Sequence, residues 1–424
     1  MNEENTMSSD QAFVIVGGGL AGARAAEAIR AGGFAGRVMI VAAEDEFPYI
    51  RPPLSKEYLQ GKAERDTVFV HPADWYEQQN IEVLRGRTAS ALSPAAHELT
   101  LDDGEVLHYD KLLLATGAAS RRYPGPGGAL AGVHHLRTLG QSEALREALE
   151  AGSRRVVIVG AGWIGLEVAS AARGYGNQVT VLGRESVPLN LIVGDEVGAV
   201  FGDLHRANGV DLRMSTGVSD IVGDGNGVTG VVLGSGEVVP ADVVVVGIGA
   251  IPNVALAAEA GLDVDNGIVT DAAFRTSGAD VYAVGDVASV FHPVLGHRIR
   301  IEHWANAENA GAAAGKSMAG AEVSYDEIPY FYTDQFDLGM EYSGYADLAK
   351  DASVVIRGDL AARRFIAFWV ADSRVVAGMN VNVWDVNQAV QDLIRSRARI
   401  DVDRLADEKI ALTDLTTAAS ARRD

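Results

Sequence analysis

The phrase VIVGGGLAG, beginning at Val14, returns as VIVGAGWIG beginning at Val157. In both copies a run of β-branched residues ends in Gly-x-Gly-x-x-Gly and continues into an alanine-rich stretch. Few folds accommodate that order. A buried strand must turn sharply and re-enter as a helix packed close on the strand it left. The first copy predicts a strand over Ala12–Val16, a helix to about Ala31 and a second strand over Arg37–Ala42. The second predicts a strand over Arg155–Val159, a helix from about Trp163 to Tyr175 and a strand over Gln178–Leu182. Strands alternating with helices imply parallel sheets covered on both faces. The fold class read from this is α/β, with two Rossmann-like dinucleotide-binding domains.

Each glycine has a separate task. Gly17 and Gly160 allow the tight turn, Gly19 and Gly162 let the backbone approach a pyrophosphate, and Gly22 and Gly165 let helix and strand touch. The phosphates then meet the N–H groups at the helix N-terminus, where the dipole favours negative charge. A carboxylate after the following strand should hold a ribose, and Glu44 stands at about that place in the first unit. In the second unit the equivalent stretch reads TVLGRES, with Gly183 where the acid is expected and Arg184 next. A missing carboxylate beside an arginine suits a 2′-phosphate, which leans toward NADPH over NADH, although Glu185 is adjacent. Two sites in one chain imply one resident dinucleotide, one visitor, and a hydride passing between them.

The chain contains no cysteine among its 424 residues. Disulfide exchange, thiolate nucleophiles, cysteine-held iron–sulfur clusters and cysteine zinc sites are therefore excluded, no metal site is expected, and redox chemistry must ride on a bound cofactor. The formal net charge of −21 argues against nucleic acid or an anionic membrane as a partner. The longest apolar stretch, Ala241–Ile251, is too short to span a bilayer. The opening MNEENTMSSD resembles no targeting segment, so a cytoplasmic protein is expected. Beyond about residue 322 the texture becomes that of antiparallel strands followed by a helix near Asp385–Arg397, a separate α+β domain. Residues 1–10 and 411–424 read as flexible.

The two fingerprints, ATGA, VGIGAIPN, YAVGD and above all RPPLSK together resemble the FAD-dependent ferredoxin reductases, from about Ala12 to about Ile400. The resemblance implies a glutathione-reductase-like fold. A discontinuous FAD domain (residues 11–117 and 244–322) would enclose an NAD(P)H domain (118–243), followed by a C-terminal interface domain (323–410). It implies FAD against Gly17, Gly19, Ala21, Gly22, Glu44, Thr116, Gly117, Arg137 and Asp286. Arg51, Ala89 and Gly249 join the candidate cofactor-binding set. It implies that Lys56 reaches the flavin's central ring paired with Glu167, and that the helix opened by Trp304 faces the pyrimidine end. Trp163, beside Ile164, is expected to gate the nicotinamide pocket. A fixed ammonium favours the negative charge that arrives with a hydride, and its carboxylate partner keeps it protonated. The prolines before Lys56 suggest an extended, rigid entry.

The implied activity carries electrons from NADPH or NADH through FAD to a [2Fe–2S] ferredoxin or rubredoxin serving a P450 or ring-hydroxylating oxygenase. Between Arg357 and Arg399 seven arginines face four aspartates, a local excess of three positive charges and a candidate docking face, with Arg298 and Arg300 as extensions. A monomer or weak homodimer is expected. Two other readings fit the same motifs: a redox-sensing flavoprotein resembling apoptosis-inducing factor, and a quinone or small-radical reductase.

Overall fold

The computed structural model describes residues 11–415, and the predicted flexible segments 1–10 and 416–424 lie outside them. Residues 411–415, expected to be flexible with the rest of the tail, instead include a helical turn in which Leu412 and Leu415 are buried.

The chain divides into two compact units. The first holds the chain up to Ile50, Arg65–Ala119 and Ile251–Pro329. Its centre is a five-stranded parallel sheet in the order Val281–Ala283, Lys111–Leu114, Ala12–Val16, Arg37–Ala42, Ile81–Arg85. Phe13, Val14 and Ile15 are buried on both faces of the sheet, as near-continuous β-branched runs require. Helix Leu20–Ala31 packs along helix Trp304–Met318. A methyl group on Gly311 or Gly315 would meet the carbonyl of Ala21 or Ala25 at 2.5 or 2.3 Å, so small residues set that separation.

The second unit holds Arg51–Glu64, Ser120–Ala250 and the chain from Tyr330. It repeats the parallel design in the order Asp211–Arg213, Gln178–Leu182, Arg155–Val159, Val243–Val246, Val133–His134. Val243–Val246 lies in register beside Arg155–Val159, so the expected boundary at 244 moves to after this strand, where the first unit resumes at Ile251. The C-terminal region is a five-stranded antiparallel sheet of Tyr330–Gln335, Leu338–Gly344, Arg374–Val381, Arg364–Ala371 and Ser353–Asp359. Helix Asn387–Ser396 packs on it, covering the region predicted helical.

The proline stretch is not extended. Pro52–Ser55 forms a short 3₁₀ helix with proline at its first positions, where a missing N–H costs no helical bond. Ser142 Oγ donates to the Leu54 carbonyl at 2.8 Å and anchors it within the second unit.

Candidate active site

In the first unit the Gly17 backbone adopts φ +130°, and a side chain there would overlap the Ala115 carbonyl at 2.1 Å. Gly22 is equally confined, 2.3 Å from the Gly17 carbonyl. Gly19 differs, because nothing lies within 4 Å of where its side chain would be. It caps helix Leu20–Ala31 with no side chain closing the helix end, and Ala21 lies in the first turn. Two glycines are thus required by packing, while the third keeps clear the approach to an uncapped N-terminus. That division is what a pyrophosphate needs, and the residues present fit a dinucleotide.

Glu44 follows the adjacent strand, and its Oε2 accepts a hydrogen bond from Tyr49 Oη at 2.6 Å. Thr116 donates to the Asn253 carbonyl and receives the Asn253 amide on its own carbonyl, both at 2.8 Å; Gly117 accepts the Asn253 N–H. Asp286 is half-buried in the turn Gly285–Val287, and Ala89 is half-buried at the start of strand Ala89–Ser93. Helix Trp304–Met318 also begins without a side-chain cap, and Trp304 is 37% exposed. His303, before it, is pushed down to about 4 by burial.

The second unit repeats the arrangement. Gly160 and Gly165 are confined by the carbonyls of Gly247 and Gly160 at 2.2 and 2.1 Å, whereas among the described residues nothing crowds within 4 Å of where a Gly162 side chain would be. Gly183 is wedged against Met214 and Ala161, so it is a packing glycine as well as a missing acid, and Arg184 is exposed beside it. Gly249 has φ +101° with open space before it.

Trp163, expected to gate the nicotinamide pocket, also packs within the second unit. Its ring lies edge-on to Phe201 and Phe331, with centroids 5.4 and 5.2 Å away, and joins the apolar core beneath the antiparallel sheet. The exposed apolar residue at this helix start is Ile164, 44% exposed.

Lys56 and Glu167 do meet, both buried in the second unit, with Nζ 2.8 Å from Oε1. Glu167 also accepts hydrogen bonds from Ser55 Oγ on Oε2 and from Thr333 Oγ1 on Oε1 at 2.5 Å. The Lys56 ammonium lies 5.4 Å from the centre of the Tyr332 ring, whose hydroxyl is pushed up to about 12 by burial. Arg51 donates to the Arg137 carbonyl, bringing two more predicted residues together. The sequence reading missed Ser55, Tyr332 and Thr333. A threonine and a glutamine two apart, after three aromatic residues, were the available signal, since that spacing puts both polar groups on one face.

The arginine-rich stretch is less free than its composition suggested. Arg357 donates to the carbonyls of Leu405, Asp407, Glu408 and Ile410, and so clamps the chain after the last strand. Arg363 pairs with Asp337 at 2.8 Å. Arg298 bonds the Thr270 and Ser289 carbonyls, and Arg300 pairs with Glu302. All four thus hold partners within the protein.

Residues 11–311 match the family described as pyridine nucleotide-disulphide oxidoreductase, and residues 330–416 match the reductase C-terminal family. The chain is 41% identical to the anthranilate 1,2-dioxygenase system ferredoxin–NAD(+) reductase component of Burkholderia cepacia, over 96% of this chain and 99% of that one. It is 37% identical to putidaredoxin reductase of Pseudomonas putida, over 98% and 99% of the two chains. The covalent putidaredoxin reductase–putidaredoxin complex superposes with a TM-score of 0.93 at 35% identity, covering 98% of this chain and all of that one. The ferredoxin reductase for the CYP199A2 system of Rhodopseudomonas palustris gives 0.90 at 32%, over 97% of this chain and 100% of that one. Among the described residues no helix is long and apolar enough to cross a membrane. With two glycine cradles for FAD and a nicotinamide dinucleotide, the chain belongs to the FAD-dependent ferredoxin reductase family of oxidoreductases.

Proposed function

We propose that this chain is an NADPH-dependent reductase of a [2Fe–2S] ferredoxin that feeds an oxygenase. The overall reaction balances as NADPH and two oxidised ferredoxins giving NADP+, a proton and two singly reduced ferredoxins. The observation that carries the reading is the pair of matched cradles, each with one open glycine before an uncapped helix end, in a chain similar over nearly its whole length to named ferredoxin reductases.

Bound FAD supplies acceptance of a hydride as an electron pair and release of the electrons one at a time. This chain's residues do the rest. Gly17, Gly19, Ala21 and Gly22 would hold the FAD pyrophosphate and Glu44 its ribose, Thr116, Gly117, Arg137 and Asp286 would orient it, and Arg51, Ala89 and Gly249 would support it. Gly160, Gly162 and Gly165 receive the nicotinamide dinucleotide. Lys56 presents a positive charge toward the arriving electron pair, and Glu167 holds that ammonium in place. Trp304 packs beside the flavin. Trp163 would gate the nicotinamide pocket, with the exposed Ile164 beside it.

The nicotinamide preference rests on Gly183 and Arg184. The ribose-binding acid is missing, its position is filled by packing, and an exposed guanidinium follows. The Burkholderia cepacia relative carries NAD(+) in its name, so the preference is expected to be this chain's own. Steady-state reduction of a dye acceptor with each nicotinamide tests it. A lower KM for NADPH is expected; equal or better use of NADH would overturn the assignment.

A further inference from the structure

A line of buried polar side chains leads away from the Lys56–Glu167 pair, and the function argued above makes no use of it. Thr333 Oγ1 lies 2.5 Å from the same Glu167 oxygen that receives Lys56. Two residues along the same face of that strand, Gln335 Nε2 lies 3.2 Å from Thr333 Oγ1. Gln335 Oε1 lies 2.9 Å from Nε2 of His205, on helix Asn190–Ala207. Thr333, Gln335 and His205 are 1%, 1% and 0% exposed.

The direction of the bonds follows from what each group can donate. Burial pushes the His205 imidazole down to about 4, so the ring is neutral and carries one N–H. Among the described residues its Nδ1 has no partner. A buried donor without an acceptor costs more than an idle lone pair, so the proton belongs on Nε2. His205 then donates to Gln335 Oε1, Gln335 donates from Nε2 to Thr333, and Thr333 must donate onward to Glu167. Each bond in the line is donated toward the carboxylate, an order in which each bond polarises the next. With Ser55 on the other oxygen, Glu167 accepts hydrogen bonds on both sides and is held in one orientation. Threonine, β-branched and therefore stiff at χ1, makes that hold rigid. Burying these polar groups is costly when apolar residues could fill the same volume, which argues for a task beyond packing.

We propose that Thr333, backed by Gln335 and His205, is a positioning residue for the Lys56–Glu167 pair, fixing the carboxylate so that the ammonium meets the flavin at a set place during hydride transfer. This rests on the assigned role of the pair. The test compares Thr333→Val, which keeps the shape and loses the donor, with Thr333→Ser, which keeps the donor. Lys56→Met serves as the reference, and all are made in the full chain loaded with FAD. Two quantities are read: the rate constant for bleaching by NADPH in the absence of any ferredoxin, and the flavin midpoint potential by equilibration with a reference dye.

Thr333→Val is expected to slow bleaching about tenfold, the worth of one hydrogen bond to a charged group. Its potential should move in the negative direction, as for Lys56→Met, with nicotinamide affinity unchanged within twofold. Thr333→Ser should restore both. If Thr333→Val fails to fold, Gln335→Met reads the same line one step removed, with a smaller change of the same sign. Wild-type rate and potential in Thr333→Val, or in Gln335→Met where Val does not fold, would overturn the proposal. If Lys56→Met also matches the wild type, the role of the pair is what fails; if Lys56→Met is impaired and Thr333→Val is not, only the positioning line fails.

Discussion

The Lys56 ammonium lies 2.8 Å from Oε1 of Glu167, with side chains 8% and 3% exposed. Two opposite charges have been taken out of water together, which is tolerable only because Ser55 and Thr333 complete the carboxylate's hydrogen bonding. Removing one charge should therefore hurt twice. Lys56→Met is expected to lower stability by roughly 3–5 kcal/mol, because Glu167 is left buried and unpaired. It should also slow bleaching by nicotinamide. The double variant Lys56→Met with Glu167→Leu should recover most of the stability in urea denaturation and none of the rate. A double variant as unstable as the single one would contradict this account of the pair.

The glycines of each cradle separate fold from ligand. Gly19→Ala meets open space, so the variant should fold as the wild type while losing FAD affinity, seen as colourless protein with an unchanged far-ultraviolet spectrum. Gly17→Ala overlaps the Ala115 carbonyl at 2.1 Å and should fail to fold. Gly162→Ala should stay yellow and raise KM for the nicotinamide alone.

Arg184→Ala tests the preference for the 2′-phosphate. KM for NADPH should rise about tenfold and KM for NADH stay within twofold, since only the phosphorylated ribose meets the guanidinium. A parallel rise for both would assign Arg184 a different contact.

Arg357 clamps four carbonyls between Leu405 and Ile410. Arg357→Ala should lower the melting temperature by several degrees, consistent with about 1–3 kcal/mol for losing a charged donor shared among exposed and half-buried carbonyls. KM for ferredoxin should not change. The opposite pattern, a stable protein with weak ferredoxin use, would restore Arg357 to the docking face.

His205 gives the protein a pH dependence of known sign. Unfolded, its imidazole titrates near 6.5; folded, burial holds it at about 4. Between those values the unfolded chain binds a proton that the folded chain does not. Stability is thus full above about pH 6.5 and falls as pH drops toward 4, by at most about 1.4 kcal/mol per pH unit from this group. His303 titrates in the same window. Urea midpoints from pH 7 to 4.5 should fall in the wild type and fall less steeply in His205→Gln.

The parallel halves were legible because their signal is local. Val14–Val16 before Gly17, and Val157–Val159 before Gly160, specify strand, turn and helix within about twenty residues each. Lys56 and Glu167 could be paired only through family resemblance, because 111 positions separate them and nothing in either stretch names the other. Thr333 comes from a third region, and its importance appears only when the strand Tyr330–Gln335 delivers it to the carboxylate. The packing of Trp163 was hidden for a related reason. A tryptophan opening a helix looks stranded until Phe201 and Phe331, far along the chain, arrive to pack it. Arg357 looked like a surface cation by composition, since charge counts ignore the carbonyls a guanidinium can gather.

The central claim is that electrons enter from nicotinamide and leave singly to an iron–sulfur protein. Anaerobic mixing of the purified holoprotein with NADPH, followed by a [2Fe–2S] ferredoxin, tests it most directly. Rapid bleaching near 450 nm followed by rapid loss of the oxidised cluster's absorbance is the predicted result. Rapid bleaching with a persistent charge-transfer band and no transfer to any ferredoxin in a broad panel would contradict it.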